Sequence, residues 1–202
     1  MKLYHTPGAC SQAPHIVLRE TGMDFEPVRV DLKAKKLESG EDYLAINPKG
    51  AVPALELDDG SVLTENGVVL QYIADRAPAA GLIPPFGSME RYRLLEWLNY
   101  IATELHKGFG PLFNPATPEG FRETTRGLIG KKFDYVQARL GGGAYLMGED
   151  FTIADAYLFV ILGWTHMHHI DLARWPALAD YRLQIARRPA VKAALHAEGL
   201  GQ

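Results

Sequence analysis

Cysteine is almost absent: one residue in 202, Cys10, which excludes an intramolecular disulfide and leaves a cysteine-built zinc site without ligands. Charge of one sign is equally scarce, with 21 Lys and Arg against 24 Asp and Glu for a net charge of -3. The basic groups, Lys33-Ala34-Lys35-Lys36 and Arg187-Arg188, are too short for the basic footprint of a nucleic-acid binder. They read as solvated surface, with Lys35 kept as a single ligand contact. No run of about 18 apolar residues could span a bilayer, and Met1-Lys2-Leu3-Tyr4-His5-Thr6-Pro7 has no apolar signal core. The expectation is a cytoplasmic protein. Ordinary shares of hydrophobic (47%) and charged (22%) residues set aside disorder and fibrous folds.

What is present falls into two rhythms. Residues 2–5 form a strand candidate, Thr6-Pro7-Gly8-Ala9 a turn, and Cys10 to Gly22 a helix with Pro14 in its first turn and Gly22 as its stop. Phe25 to Leu32 supplies a second strand. After the polar stretch 33–42, Val52–Leu57 and Ser61–Thr64 flank Asp58-Asp59-Gly60 and predict a hairpin, and Glu65 to Ala77 predicts a helix with Val69, Ile73 and Arg76 on one face and Val68 and Tyr72 beside it. The order is βαβ then ββα. Proline and glycine concentrate in 78–87, which reads as a linker, and everything beyond it reads as helical. The expected organisation is an α/β domain over 1–77, a linker over 78–87 and an all-α helical bundle over 88–202. Ser88 caps the first helix of the bundle, carrying Leu94, Leu98, Ile101 and Leu105; Thr117-Pro118-Glu119 starts another. Phe151-Thr152-Ile153-Ala154-Asp155 has the form of a capping box, and Trp175–Arg187 and Pro189–Glu198 supply two more helices.

Chemistry gathers first at Cys10, between a strand end and a helix start. Free N–H groups and the helix dipole there favour a thiolate, while a small buried hydrophobe is the plain alternative. Cys10-Ser11-Gln12-Ala13 occupies the place of a Cys-x-x-Cys motif with its second thiol missing, so redox work would need an external thiol such as glutathione. In Gly50-Ala51-Val52-Pro53 the Val52–Pro53 bond is either cis, exposing the Val52 backbone to an extended peptide, or an ordinary trans bond opening an edge strand. Glu65-Asn66-Gly67 reads as a helix cap that also offers donors to a carboxylate. His106, after an apolar helical face, reads as structural by itself. His166-Met167-His168-His169 lacks the spaced partners of a metal site, and no metal is expected.

Together these segments resemble the cytosolic glutathione transferases, specifically the bacterial beta class, over nearly the whole chain. The resemblance is carried by Met1–Tyr4 leading to Pro7-Gly8-Ala9-Cys10-Ser11, Pro14–Glu20, Asn47-Pro48-Lys49-Gly50, Val52-Pro53, Leu63-Thr64-Glu65, Glu96–Asn99, His106-Lys107-Gly108 and Phe151–Tyr157. It implies a thioredoxin-like N-terminal domain, a helical C-terminal domain, a homodimer, and glutathione held between the domains. It also implies Cys10 at the glutathione sulfur, Val52 on the peptide backbone, Glu65 and Asn66 at the γ-glutamyl end, and Lys35, Asn99, Thr103, Glu104 and His106 completing the site, with Glu104 coming from the partner subunit. Asn66 departs from the serine or glycine more usual in relatives. Other classes hold the thiolate with a tyrosine or serine; here Tyr4 lies inside its strand and reads as core, whereas Ser11 adjoins the thiol and could donate to it.

The expected function is conjugation of glutathione to hydrophobic electrophiles, a detoxification chemistry, with Cys10, His106 and Ser11 as the catalytic group. Phe109, Phe113, Trp164 and Met167 are candidates for the apolar pocket. Thiol-disulfide exchange or peroxidase activity through an acidic, accessible Cys10 is a companion reading. A non-catalytic ligand-binding protein on the same fold is the alternative.

Overall fold

Alternation at the N-terminus forms β1 (Lys2–His5), which pairs in parallel with β2 (Glu26–Asp31) through the intervening helix α1 (Gln12–Thr21). In the computed structural model, which describes residues 1–201, the hairpin also forms as expected: β4 (Ala54–Glu56) runs antiparallel to β1, and β5 (Val62–Thr64) antiparallel to β4. The polar stretch hides one further strand, β3 (Lys36–Leu37), antiparallel to β2, giving the order β3-β2-β1-β4-β5. Two residues at an edge, one exposed, leave too short a pattern to be seen in sequence.

The helix after the hairpin, α2 (Asn66–Arg76), buries Val69, Leu70, Ile73 and Ala74. Val68, expected beside that face, is 46% exposed instead. Adjacent strand residues point to opposite faces, and both faces of β1 are covered. Tyr4 joins Val30, Leu37, Tyr43, Val52 and Ala54 in one cluster, while Leu3 is fully buried outside it. Each such buried aliphatic contributes about 1.5–3 kcal/mol. Gly22 ends α1 in the left-handed conformation (φ 66°), its N–H returning to the Arg19 carbonyl.

The chain divides into two compact units, Met1–Ile83 together with the chain from Arg187 onward, and Pro84–Ala186. This differs from the expected partition in two respects: the expected linker is divided between the units at Ile83 and Pro84, and α8 (Pro189–Ala197) packs with the α/β unit, against α1. A helical pattern reports local structure and not the partner of its apolar face, so the sequence grouped α8 with the other late helices.

Unit two contains α3 (Met89–Tyr100), α4 (Gly110–Phe113), α5 (Glu119–Leu140), α6 (Ile153–Met167) and α7 (Pro176–Ala186). Ser88 caps α3 by accepting from the Arg91 N–H at 3.1 Å. The helix then continues into a π-helical turn, Ile101–His106, a widening that the apolar spacing does not announce. On α6 the capping box forms, and residues 153–162 are buried without a break. Asp155 does more than cap: its carboxylate accepts from the Thr152 N–H (2.8 Å), the Thr152 hydroxyl (2.7 Å), the Leu146 N–H (2.8 Å) and the Tyr181 hydroxyl (2.7 Å). Among the described residues no helix is long and apolar enough to cross a membrane.

Candidate active site

Within the α/β unit, Cys10 lies in a turn ahead of α1, with i to i−3 bonds from Gln12 to Ala9 and from Ala13 to Cys10. Its thiol donates to the Val52 carbonyl at 3.2 Å, and the Val52–Pro53 bond is cis. The expectation of an acidic, accessible thiol is corrected here. Cys10 is only 8% exposed, and burial pushes its pKa up to about 12 against the smaller pull of the Cys10 and Ser11 backbone N–H groups. The helix-terminus argument counts favourable dipoles but not the cost of taking a thiolate out of water. Ser11 is fully buried and faces the preceding turn: its Oγ accepts from the Thr6 N–H at 3.1 Å and lies 3.3 Å from the Thr6 carbonyl.

The other predicted positions of this unit flank the Gly50–Pro53 turn. Lys35 and Glu65 both hold positive φ (56° and 71°), a conformation that costs a non-glycine residue about 1–3 kcal/mol and collects at functional sites. Lys35 Nζ donates to the Gly50 carbonyl at 2.6 Å, so the turn already engages it. Glu65, exposed, pairs with Lys49 Nζ at 2.5 Å. Asn66, in the first turn of α2, is 7% exposed, and neither its Oδ1 nor its Nδ2 finds a hydrogen-bond partner. An orphaned buried amide costs about 1–3 kcal/mol.

Sequence reasoning missed a buried group beside the turn that precedes α1. The Glu198 carboxylate, following α8, accepts from the Gly8 N–H (3.0 Å), Gln12 Nε2 (2.9 Å) and His15 Nδ1 (2.8 Å), and His5 Nδ1 stands 3.6 Å away. Arg19 Nε donates to His15 Nε2 at 3.0 Å, which fixes the imidazole proton on Nδ1, facing Glu198. The three acid and imidazole groups are close enough to suggest a cation site, but that tautomer presents a proton where a metal would need a lone pair. Burial pushes the Glu198 carboxyl up, but its donors His15, Gly8 and Gln12, with the His5 ring close by, outweigh it and hold the group at about 2. No spacing rule links positions 5, 15 and 198.

In the helical unit, the predicted residues cluster on and before the π turn. Asn99 and Thr103 are exposed and bond back along the helix, Asn99 Nδ2 to Leu95 and Thr103 Oγ1 to Asn99. Glu104 is held by Lys132, whose Nζ lies 3.0 Å from the carboxylate and 2.8 Å from the Glu104 carbonyl. His106 Nδ1 meets the Tyr157 hydroxyl at 2.5 Å, and its ring packs edge-on against Tyr157 and Trp164. Burial, with Lys107 adding, lowers its pKa to about 4, so the ring is neutral at pH 7. Phe109 and Phe113 extend this aromatic cluster through Trp164 and His168. Met167 is 53% exposed and lies outside those ring contacts.

A thioredoxin-like α/β unit with a thiol set before its first helix, joined to a helical unit, defines a class of protein shared by many chemistries. Comparison narrows it: residues 1–75 match the glutathione S-transferase N-terminal domain and residues 100–189 the C-terminal domain. Glutathione S-transferase GstA of Escherichia coli O157:H7 is 52% identical over 99% of this chain and 100% of its own length. A sphingomonad glutathione S-transferase solved with glutathione superposes with a TM-score of 0.96, at 52% identity over 100% of both chains. The bacterial beta-class enzyme of Sphingomonas chungbukensis gives 0.96 at 47% identity, covering 99% of this chain and 100% of that one. The chain belongs to the glutathione S-transferase family, with bacterial beta-class enzymes among its near structural neighbours.

Proposed function

We propose that the chain holds glutathione as a thiolate and transfers it to apolar electrophiles, forming a carbon–sulfur bond as the leaving group departs with its electron pair. The observation that carries this reading is the Cys10 thiol donating to the Val52 carbonyl, the backbone group an extended tripeptide would pair with on entering as an added strand. The backbone N–H groups of Cys10 and Ser11 already act on the Cys10 sulfur and would act likewise on an incoming thiolate. Preorganised donors of this kind supply the largest share of charge stabilisation in many enzymes.

Cys10, Lys35, Val52, Glu65 and Asn66 are the proposed glutathione contacts in the α/β unit, with the orphaned Asn66 amide meeting a carboxylate once its side chain turns. Asn99, Thr103, Glu104 and His106 are the proposed contacts in the helical unit. Neutral His106, accepting from Tyr157 on Nδ1, would carry its proton on Nε2 and donate it in a hydrogen bond to the thiolate. The aromatic cluster of Phe109, Phe113 and Trp164 suits an apolar electrophile. Burial, which raises the Cys10 pKa, works against thiol exchange through this residue and favours the conjugation reading.

A cytoplasmic homodimer is part of the same proposal. Phe121, Leu128 and Tyr135 recur every seven residues on α5 and are 55%, 51% and 41% exposed. Tyr135 stacks with Trp97 and Tyr100 of the α3 segment, where Met89 and Tyr92 are also exposed. An apolar stripe of this length on a 22-residue helix suits a twofold partner. The test is turnover of a generic aryl halide together with retention on immobilised glutathione. Wild type and Cys10→Ala should both turn over, and His106→Ala should lose activity; loss of turnover in Cys10→Ala with glutathione retained would overturn the backbone-donor mechanism.

A further inference from the structure

Inserting one residue into a helical turn rotates everything beyond it by about 100°. The π turn Ile101–His106 is such an insertion: the Lys107 N–H reaches back to the Ala102 carbonyl, and a tight turn, Lys107–Phe109, follows at once. The phase set there brings His106 Nδ1 to the Tyr157 hydroxyl at 2.5 Å and the ring edge-on to Trp164. Such turns are rare and collect at functional sites, because the ordinary α ladder competes with them. Ile101 and Leu105, both fully buried, anchor the turn from within, but apolar contact is non-directional and does not choose between the two ladders.

A directional hold comes from Lys132 on α5. Its Nζ donates to the Glu104 carbonyl at 2.8 Å and lies 3.0 Å from the Glu104 carboxylate. The same nitrogen stands 3.7 Å from where a Gly108 Cβ would be, so a side chain at 108 would lie against the ammonium. One charge thus touches the chain two residues before His106 and two residues after it. A hydrogen bond from an ammonium is about twice as strong as a neutral one. The helix that presents Lys132 is itself fixed, with Ile129, Phe133 and Val136 buried.

We infer that Lys132 is a positioning residue: by holding Glu104 it fixes the wide turn, and through that turn the place and partner of the His106 ring. Its bearing on catalysis rests on the proposed function, in which His106 donates to the thiolate; the placing of the ring stands apart from that reading. The groups that face the ring are Lys107 beside it in the chain and Tyr157 on α6. With Lys132 removed, the turn is free to close to the α form, and His106 leaves Tyr157.

The test is Lys132→Met in the full chain, with the imidazole nitrogens followed by NMR from about pH 8 to about pH 5 and the His106 signal assigned by its loss in His106→Gln. The wild-type ring, with its pKa lowered to about 4, should stay neutral over that range. In Lys132→Met the ring should titrate near its ordinary 6.5, and turnover of an aryl halide at saturating glutathione should fall about tenfold. A ring that stays neutral in Lys132→Met overturns the inference, whatever the turnover. A ring that titrates while turnover is unchanged supports the placing by Lys132 and overturns the role given to His106 in the proposed function. Should Lys132→Met fail to fold, Lys132→Gln, which keeps a neutral donor, is read in the same way. Retention on immobilised glutathione reports separately on glutathione binding.

Discussion

Replacing Asp155 by alanine tests how this carboxylate organises the helical unit. A plain N-cap is worth about 0.5–2 kcal/mol, and Thr152→Ala should cost about 1 kcal/mol on that basis. Asp155 also serves the Leu146 N–H and the Tyr181 hydroxyl, at 2.8 and 2.7 Å. Stranding two buried donors costs about 1–3 kcal/mol each, so Asp155→Ala should cost about 4 kcal/mol, several times the Thr152 effect. In a chain of this size that lowers the melting temperature by about 10 °C. Burial raises the Asp155 pKa despite its four donors; with the folded pKa above the unfolded one, this group's contribution falls as pH rises from the ordinary carboxyl range toward the folded value and is flat above it. The assay is urea unfolding followed by circular dichroism for Asp155→Ala, Thr152→Ala, Tyr181→Phe and the Asp155/Tyr181 double variant. Equal losses for Asp155→Ala and Thr152→Ala, with additive Asp155 and Tyr181 effects, would refute the four-donor account.

Cys10 should alkylate slowly in the folded protein at pH 7 to 8 and at the normal thiol rate in urea; a native rate matching the unfolded one would remove the burial argument. Glu198, held at about 2 against an ordinary 4.5, should contribute full stability above pH 4.5 and lose it progressively as pH falls toward 2. Glu198→Gln should flatten that part of the stability profile, and an unchanged acid limb would show the carboxylate is not engaged. Leu128→Glu should shift sedimentation from twice the chain mass to the single-chain mass, and a dimer that tolerates it would place the interface elsewhere.

The features legible in sequence were those fixed by near neighbours. Asp58-Asp59-Gly60 announced the hairpin, Gly22 the end of α1, and Thr152 with Asp155 the start of α6, because turn and cap chemistry acts within a few residues. What escaped depends on the third dimension. Position alone overstates the acidity of Cys10, because burial opposes the helix dipole. Leu146 and Tyr181 gave no sign of converging on Asp155, and nothing in the periodicity marked the π turn that carries His106. The site residues of each unit could be named from the motif pattern, but their existing engagements, Lys35 with Gly50, Glu104 with Lys132 and His106 with Tyr157, could be read only from coordinates.

The return of α8 to the first unit has a consequence for how the protein is made. Gly8, Gln12 and His15 sit near the start of the chain, yet the carboxylate that satisfies them is at position 198. As the polypeptide leaves the ribosome, the α/β unit can assemble its sheet early but keeps the buried Gln12 and His15 donors without this carboxylate until position 198 emerges. The helical unit, contiguous from Pro84 to Ala186, has every partner in hand before then. The unit begun first is therefore finished last, and a ribosome stalled near position 187 would release a chain whose helical half is complete and whose α/β half is still open.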